Sequence, residues 1–436
     1  MKKYYLKQLG SNEISGLTKR PAIDFKSVFE TVRGVLEDVK NNGDNAVKTY
    51  TKKFDGVELK SFLVGKEEIT KACERISPEA KAAFKIAAQN IGKFHKAQIA
   101  EGKPVETSKG VKCFRKFKPI EKVGLYVPGG TAPLPSTVLM LGIPAKIAGC
   151  EEIIMCTPPD KNGNVPDIIL FAAKLAGITK IFKIGGAQAI AAMAYGTESI
   201  PKVYKIFGPG NQYVTAAKML TSIEPNGAAM DMPAGPSEAL VIADKFARAN
   251  FVAADLLSQA EHGSDSQVVL VCTDENKTNE ILQETANQLD VLPRREIAEK
   301  ALENSFALIV DNISEAIEFS NKYAPEHLIL NTKDASKDAS KYTEQVRNAG
   351  SVFIGEYSCE SAGDYASGTN HTLPTYGYAK AYSGVSTDSF VKKITFQELS
   401  KEGIRSLGPT VERMAEVEGL QAHKNAMTLR LKSLKK

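Results

Sequence analysis

Residues 361–372 read Ser, Ala, Gly, Asp, Tyr, Ala, Ser, Gly, Thr, Asn, His, Thr, a stretch too polar and glycine-rich for a core strand or helix. It sets a carboxylate, Asp364, and an imidazole, His371, on one segment, and segments of that composition hold chemistry more often than packing. The chain has only five histidines, at 95, 262, 327, 371 and 423, and four of them lie in or after segments that also carry Gln, Glu or Asp. Gln259 and His262 are three apart, a spacing that puts both on one helix face with Gly263 as the stop. On this segment alone an ordinary helix end, with a histidine against the macrodipole, is the favoured reading. Glu326 and His327 follow Pro325 at the mouth of an apolar run. Together they supply two proton acceptors to one cleft if the backbone is irregular there, whereas in a regular strand they face opposite sides.

The segment from Glu418 to His423 adds another carboxylate and imidazole. Two imidazoles, a carboxylate and an amide from separate segments form a set that a zinc-like divalent ion accepts. Singly each has a mundane explanation; jointly they use most of the scarce histidines, which favours a metal or catalytic site. His95, beside Phe94 on an Ala- and Lys-rich amphipathic stretch, reads as a core or surface residue.

Apolar spacing predicts helices over 27–53, with a turn at 41–44, and over 67–100, with a break and new N-cap at Ser77 and Pro78. From 122 onward, strands at 123–127, 153–156, 181–184 and 203–207 alternate with helices at 136–148, 168–176, 187–195 and 213–220. The rhythm resumes with strands at 239–243, 267–272, 308–310, 328–330 and 352–354 and helices at 247–262, 278–289, 313–322 and 339–346. Strands separated by such helices mean parallel βαβ crossovers covered on both faces. Glycine-rich turns follow three strands: Pro128, Gly129, Gly130; Gly185, Gly186; and Gly208, Pro209, Gly210, Asn211. Small residues there let a ligand approach the crevice of an open sheet. None matches G-x-G-x-x-G, so tight turns are the simpler account.

At 436 residues the chain exceeds one usual core. Its 43% apolar and 25% charged residues are those of an ordinary globular protein, and a net charge of +5 gives no support to nucleic-acid or membrane-surface binding. The six cysteines form no C-x-x-C pair, so free thiols are expected. With no signal-peptide core and no apolar run of membrane-spanning length, the expected location is the cytoplasm.

Taken in order, these segments resemble the histidinol dehydrogenase family over nearly the whole chain. The matching motifs are 123–130 (VGLYVPGG), 207–211 (FGPGN), 231–238 (DMPAGPSE), 257–263, 323–328, 363–371 (GDYASGTNH) and 422–426 (AHKNA). The resemblance implies an NAD-dependent oxidation of L-histidinol to L-histidine through the aldehyde. It implies Zn2+ ligation by Gln259, His262, Asp364 and His423, proton transfer by Glu326 and His327, and NAD contacts at Tyr126, Gln188 and Asn211. Ser237, Glu418, His327, His371 and the metal ligands would surround the substrate. The family is a homodimer with a shared active site, which would explain an undersized tail bearing His423.

The expected architecture is α/β, two doubly wound, incomplete Rossmann-like parallel-sheet domains with small helical N- and C-terminal extensions. The expected division is 1–25 as N-terminal extension, 26–119 plus 237–380 as the metal and substrate domain, 120–236 as the inserted NAD side, and 381–436 as a helical tail docking on the partner. Chemically, an imidazole near neutrality suits the base for the alcohol, His327, while Glu326 activates the water that adds to the aldehyde. The ion would hold the substrate's imidazole and amine nitrogens without generating hydroxide. Two other readings compete on residues alone: a zinc-dependent hydrolase with Glu326 as base, and a noncatalytic α/β protein holding a small molecule.

Overall fold

The computed structural model describes residues 1–20, 25–99, 102–129 and 133–434. Gly130 of the first glycine-rich turn, residues 21–24 of the expected N-terminal extension and Lys435 and Lys436 of the tail lie outside the described residues. In chain order the strands are β1 (Lys2–Tyr5), β2 (Val105–Ser108), β3 (Val111–Pro119), β4 (Lys122–Tyr126), β5 (Glu152–Thr157), β6 (Lys180–Lys183) and β7 (Lys205–Phe207). They continue with β8 (Ala229–Met230), β9 (Glu238–Ala243), β10 (Gln267–Cys272), β11 (Phe306–Ile309), β12 (His327–Asn331), β13 (Ser351–Ile354) and β14 (Val391–Leu399).

Two sheets are parallel throughout: a six-stranded one ordered β1-β11-β10-β9-β12-β13 and a five-stranded one ordered β6-β5-β4-β7-β8. Every residue of β9 and β10 is buried, because helices cover both faces and leave no polar side to the strand. Alternate residues feed separate cores: Ala239, Val241 and Leu270 pack with helix Ala249–Ala260 on one face, Leu240, Ile242 and Leu330 with helix Ile313–Tyr323 on the other. The α/β class and the doubly wound sheets are as the alternation of apolar runs and helical spacing leads one to expect.

Other parts differ. The N-terminal stretch is not simply helical: Lys2–Tyr5 is the edge strand beside β11. The tail is not wholly helical either, since β14 pairs antiparallel with β3, and β3 with β2, before helices Lys401–Val417 and Gln421–Ser433. In β14 the apolar residues Val391, Ile394, Phe396 and Leu399 fall at both odd and even positions and all but the two end residues are exposed, so no period of two stands out against the surrounding charge. Phe396 stacks on Phe114 with centroids 5.3 Å apart. The expected turn at 41–44 between two helices is present: the helical stretch Phe25–Asp55 is broken by a kink at Gly43, whose φ is 51°. The stretch 339–346 forms two short 3-10 turns instead of a helix.

Helices Phe25–Asp55, Lys66–Arg75 and Pro78–Lys96, grouped by sequence with the larger sheet, send their apolar faces into the cores of the five-stranded sheet. Val32, Leu36 and Val47 pack with Ile154 and Phe182, and Ala72 and Ile91 with Leu139 and Leu170. Helical periodicity says which face is buried, not against which sheet. His95 is fully buried and caged by Ile91 O at 2.9 Å and Asn370, the core role its setting suggests.

Candidate active site

In the five-stranded sheet the chain runs outward from β4 to β5 and β6, then returns beside β4 as β7, so strand order reverses between β4 and β7. Carboxyl ends at such a reversal form a crevice that suits a dinucleotide. Tyr126 ends β4, buried, and its hydroxyl accepts from Gly186 N at 3.1 Å; burial pushes its pKa up to about 12. Gln188 lies in helix Gly186–Tyr195 with both amide atoms buried and without hydrogen-bond partners. After β7, Gly208 takes φ 127°, and a Cβ there would stand 2.0 Å from the Tyr126 carbonyl oxygen, so only glycine fits. This turn is braced by Lys218, whose Nζ reaches Gly208 O at 2.8 Å and Asp231 Oδ1 at 2.5 Å, while Gly208 N donates to Asp231 Oδ2 at 2.7 Å. Asn211 caps helix Gln212–Ser222, its Oδ1 accepting from Tyr213 N and Val214 N, which leaves its amide nitrogen for a ligand.

The six-stranded sheet faces this crevice with the amino ends of β9 and β12. Ala324 adopts a left-handed φ of 54° ahead of Pro325, which breaks the strand alternation before His327 and lets Glu326 and His327 turn into the same buried space. Glu326 Oε2 accepts from Glu238 N at 2.9 Å and lies 3.6 Å from His327 Nδ1. That nitrogen also sits 3.2 Å from Glu238 O and 3.1 Å from Gln259 Nε2, while His327 Nε2 faces Asp364 Oδ1 at 3.5 Å. Four of the expected residues, Gln259, Glu326, His327 and Asp364, therefore form one cluster.

Burial raises the Glu326 pKa to about 8, with His327 and the Glu238 N–H pulling the other way. Desolvation opposes charge on His327, but Glu326, Glu360 and Asp364 outweigh it and lift its pKa well above the usual imidazole range. Desolvation likewise opposes charge on Asp364, and His327 overcomes it, with His371 and His262 helping, to hold that carboxyl below its ordinary value. These shifts describe a pocket in which carboxylates outnumber cations.

Asp364 belongs to a short helix, Glu360–Tyr365, not a loop; its glycine, Gly363, is where the helix touches Phe353, and a Cβ there would lie 2.4 Å from that ring. His371 Nδ1 lies 3.0 Å from Asp364 O, and its Nε2 lies 3.1 Å from Thr137 Oγ1 on helix Pro135–Ala148 of the other sheet. Helix Ala249–Ala260 ends at its cap Glu261, and His262 sits in the following turn, its N–H donating to Gln259 O at 3.3 Å. Ser237, Asn211 and His262 line a cleft of about 680 Å³ between the sheets, with Pro128, Tyr213 and Tyr376. Glu418, the cap of helix Lys401–Val417, and His423, in the first turn of helix Gln421–Ser433, are exposed; the two helices pack on each other and the first also on β14 and β2, and neither residue joins the cluster within one chain.

The histidinol dehydrogenase family profile matches residues 18–431. The chain belongs to that family. A histidinol dehydrogenase from Bacteroides thetaiotaomicron is 61% identical over 419 residues, covering 96% of each chain. A chloroplastic histidinol dehydrogenase from Arabidopsis thaliana is 56% identical over 100% of this chain and 92% of its own. The crystal structure of histidinol dehydrogenase from Elizabethkingia anophelis superposes with a TM-score of 0.95 at 54% identity, covering 100% and 99% of the two chains.

The metal set expected of a histidinol dehydrogenase fits this chain in part. Gln259 Oε1 and Asp364 Oδ1 are buried oxygens without hydrogen-bond donors, as atoms reserved for a cation would be. One ligand atom each of His262, Glu360 and Asp364 lies within 4.8 Å of the others. Sequence reasoning passed over Glu360, Glu238 and Arg20. Glu360 stands one helical turn before Asp364, a spacing that could have drawn attention to it. Arg20 forms a buried bidentate pair with Glu238 across 218 positions, which no local pattern reveals.

Proposed function

We propose that the chain is an NAD-dependent histidinol dehydrogenase, oxidising L-histidinol through its aldehyde to L-histidine in the last step of histidine biosynthesis, as a homodimer with a zinc-like ion in each shared site. The observation that carries the reading is the buried pair Glu326 and His327, set beside Gln259 and Asp364 and next to a cleft that Asn211, Ser237 and His262 line. Bound at the β4–β7 reversal, NAD supplies the hydride acceptor for both oxidations. A divalent ion on Gln259, His262, Asp364 and the His423 of a second copy supplies a fixed positive centre for the substrate's imidazole and amine nitrogens.

The chain's own groups then divide the proton work. With Nδ1–H directed at Glu238 O, neutral His327 would have Nε2 left to take the hydroxyl proton as hydride departs from the carbinol carbon; that neutral form requires a bound cation to offset the Glu326, Glu360 and Asp364 charges that otherwise keep the ring protonated. Glu326, in reach of the same space, takes a proton from the water that adds to the aldehyde, and the hydrate then loses the second hydride. Ser237 and His371 border the substrate from the two sides of the cleft, and Glu418 arrives with the second copy's tail. Residues 120–236 form the cofactor side and 237–380 the substrate side. We place the reaction in the cytoplasm, in keeping with six free cysteines.

The test is the stoichiometry of NADH formed from histidinol and NAD by the purified protein. Two NADH per histidinol consumed, with histidine as product, is the expected result. Absence of NADH would sink the reading in favour of a hydrolase or a binding protein, and a single NADH with aldehyde released would remove the role given to Glu326.

A further inference from the structure

The expected metal set comes from two places. Gln259, His262 and Asp364 lie on the body of the chain, whereas His423 is exposed on the terminal hairpin. A chain without a docked tail thus offers three of four ligands. The structure supplies another donor at the same point. Glu360 is 1% exposed, and one of its oxygens lies within 4.8 Å of both a His262 nitrogen and an Asp364 oxygen. Its recorded partner is poor: Ser258 Oγ at 3.4 Å, long against the ~2.5–2.7 Å of a hydroxyl bonded to a carboxylate. Burial pushes the Glu360 pKa up to about 8, so the group relieves its charge either by holding a proton or by taking up a cation. Close by, Gln259 Oε1 and His327 Nε2 are buried without hydrogen-bond partners.

Charge points the same way. An imidazole, an amide and Asp364 leave a divalent ion with an uncompensated positive charge, and Glu360 neutralises it. The ligand atoms lie within 4.8 Å of one another, a spread comparable with the ~3.4 Å edges of a tetrahedral site with bonds of about 2.1 Å.

Resting on the metal-enzyme reading above, we propose that Glu360 is a ligand of the ion while the chain is alone, filling the position that His423 takes once a tail docks. Ion capture then precedes completion of the site. Loss of His423 lowers affinity but not the capacity to bind.

Zinc per chain is measured on purified full-length wild type, H423A, E360Q and E360Q/H423A against a graded competing chelator, with thermal melts recording folding. Wild type and H423A should each hold one ion. E360Q should weaken binding modestly in wild type but by more than the 10–100-fold of an outer-shell partner in the H423A background. E360D/H423A, which keeps a carboxylate one carbon further back, should fall between, and S258A should leave binding unchanged. The cobalt-loaded H423A protein should shift its visible bands on E360Q. Wild type without an ion overturns both the metal reading and this one. Wild type with an ion, but equal affinities for H423A and E360Q/H423A or no ion in H423A, overturns Glu360 alone.

Discussion

The guanidinium of Arg20 meets the carboxylate of Glu238 through parallel hydrogen bonds of 2.8 and 2.7 Å, where their side chains are only 5% and 1% exposed. Arg20 also stacks 3.5 Å from the Tyr323 ring and donates to Tyr323 O at 2.7 Å and Ala324 O at 3.3 Å. It therefore ties the residue whose backbone holds Glu326 and His327 to the left-handed turn that aims them. Arg20→Met should destabilise the protein by about 3–5 kcal/mol, because Glu238 is left buried and unpaired. Denaturant unfolding reads this, and Glu238→Gln added to Arg20→Met should recover part of the loss.

Lys218 and Asp231 make the matching brace beside the five-stranded sheet, on the proposed cofactor side, with side chains 2% and 1% exposed. Lys218→Met strands Asp231 and frees the Gly208 turn. Stability should fall by about 3 kcal/mol or more. The KM for NAD should rise more than the KM for histidinol, as initial-rate kinetics with each substrate varied will show.

Glu326→Gln keeps shape and removes the proposed base. Oxidation of supplied aldehyde should drop by about 10²–10⁴-fold, and oxidation of histidinol to aldehyde, measured in a single turnover, should drop much less. Equal losses in both half-reactions would contradict the division of labour between Glu326 and His327.

Asp55 ends the helix Phe25–Asp55 with Oδ2 buried and without a hydrogen-bond partner, and burial raises its pKa from 3.8 to about 6. Below the unfolded value the group is neutral in both states and costs nothing. As pH climbs through the folded value, the native protein must ionise a carboxyl that the unfolded chain ionised already, so stability is lost on that rise. Asp55→Asn should raise the melting temperature by a few degrees near pH 8 and leave it unchanged near pH 4, checked by calorimetry at the two values.

The six- and five-stranded sheets were legible in the sequence because strands covered on both faces are written as unbroken apolar runs such as 267–272. The pair Glu326 and His327 was legible because Pro325 announces an irregular backbone. Hidden features depend on distance in the chain: Arg20 with Glu238, Lys218 with Asp231, and the choice of sheet by helix Phe25–Asp55. Strand β14 is hidden for a different reason, since its four apolar side chains, Val391, Ile394, Phe396 and Leu399, keep no period of two among the polar ones. Asp364 was assigned to a loop because six residues of helix are too few to show a period.

The short segment between Asp364 and His371 is anchored to different bodies at its two ends. Asp364 rides on a helix lying against Phe353 of the six-stranded sheet, while Asn370 donates to Met140 O at 2.6 Å and His371 contacts Thr137, both on the helix Pro135–Ala148. Any hinge movement that changes the width of the cleft must be taken up within these few residues. The gap between cofactor and substrate is thereby geared to the angle at which Asp364 is presented.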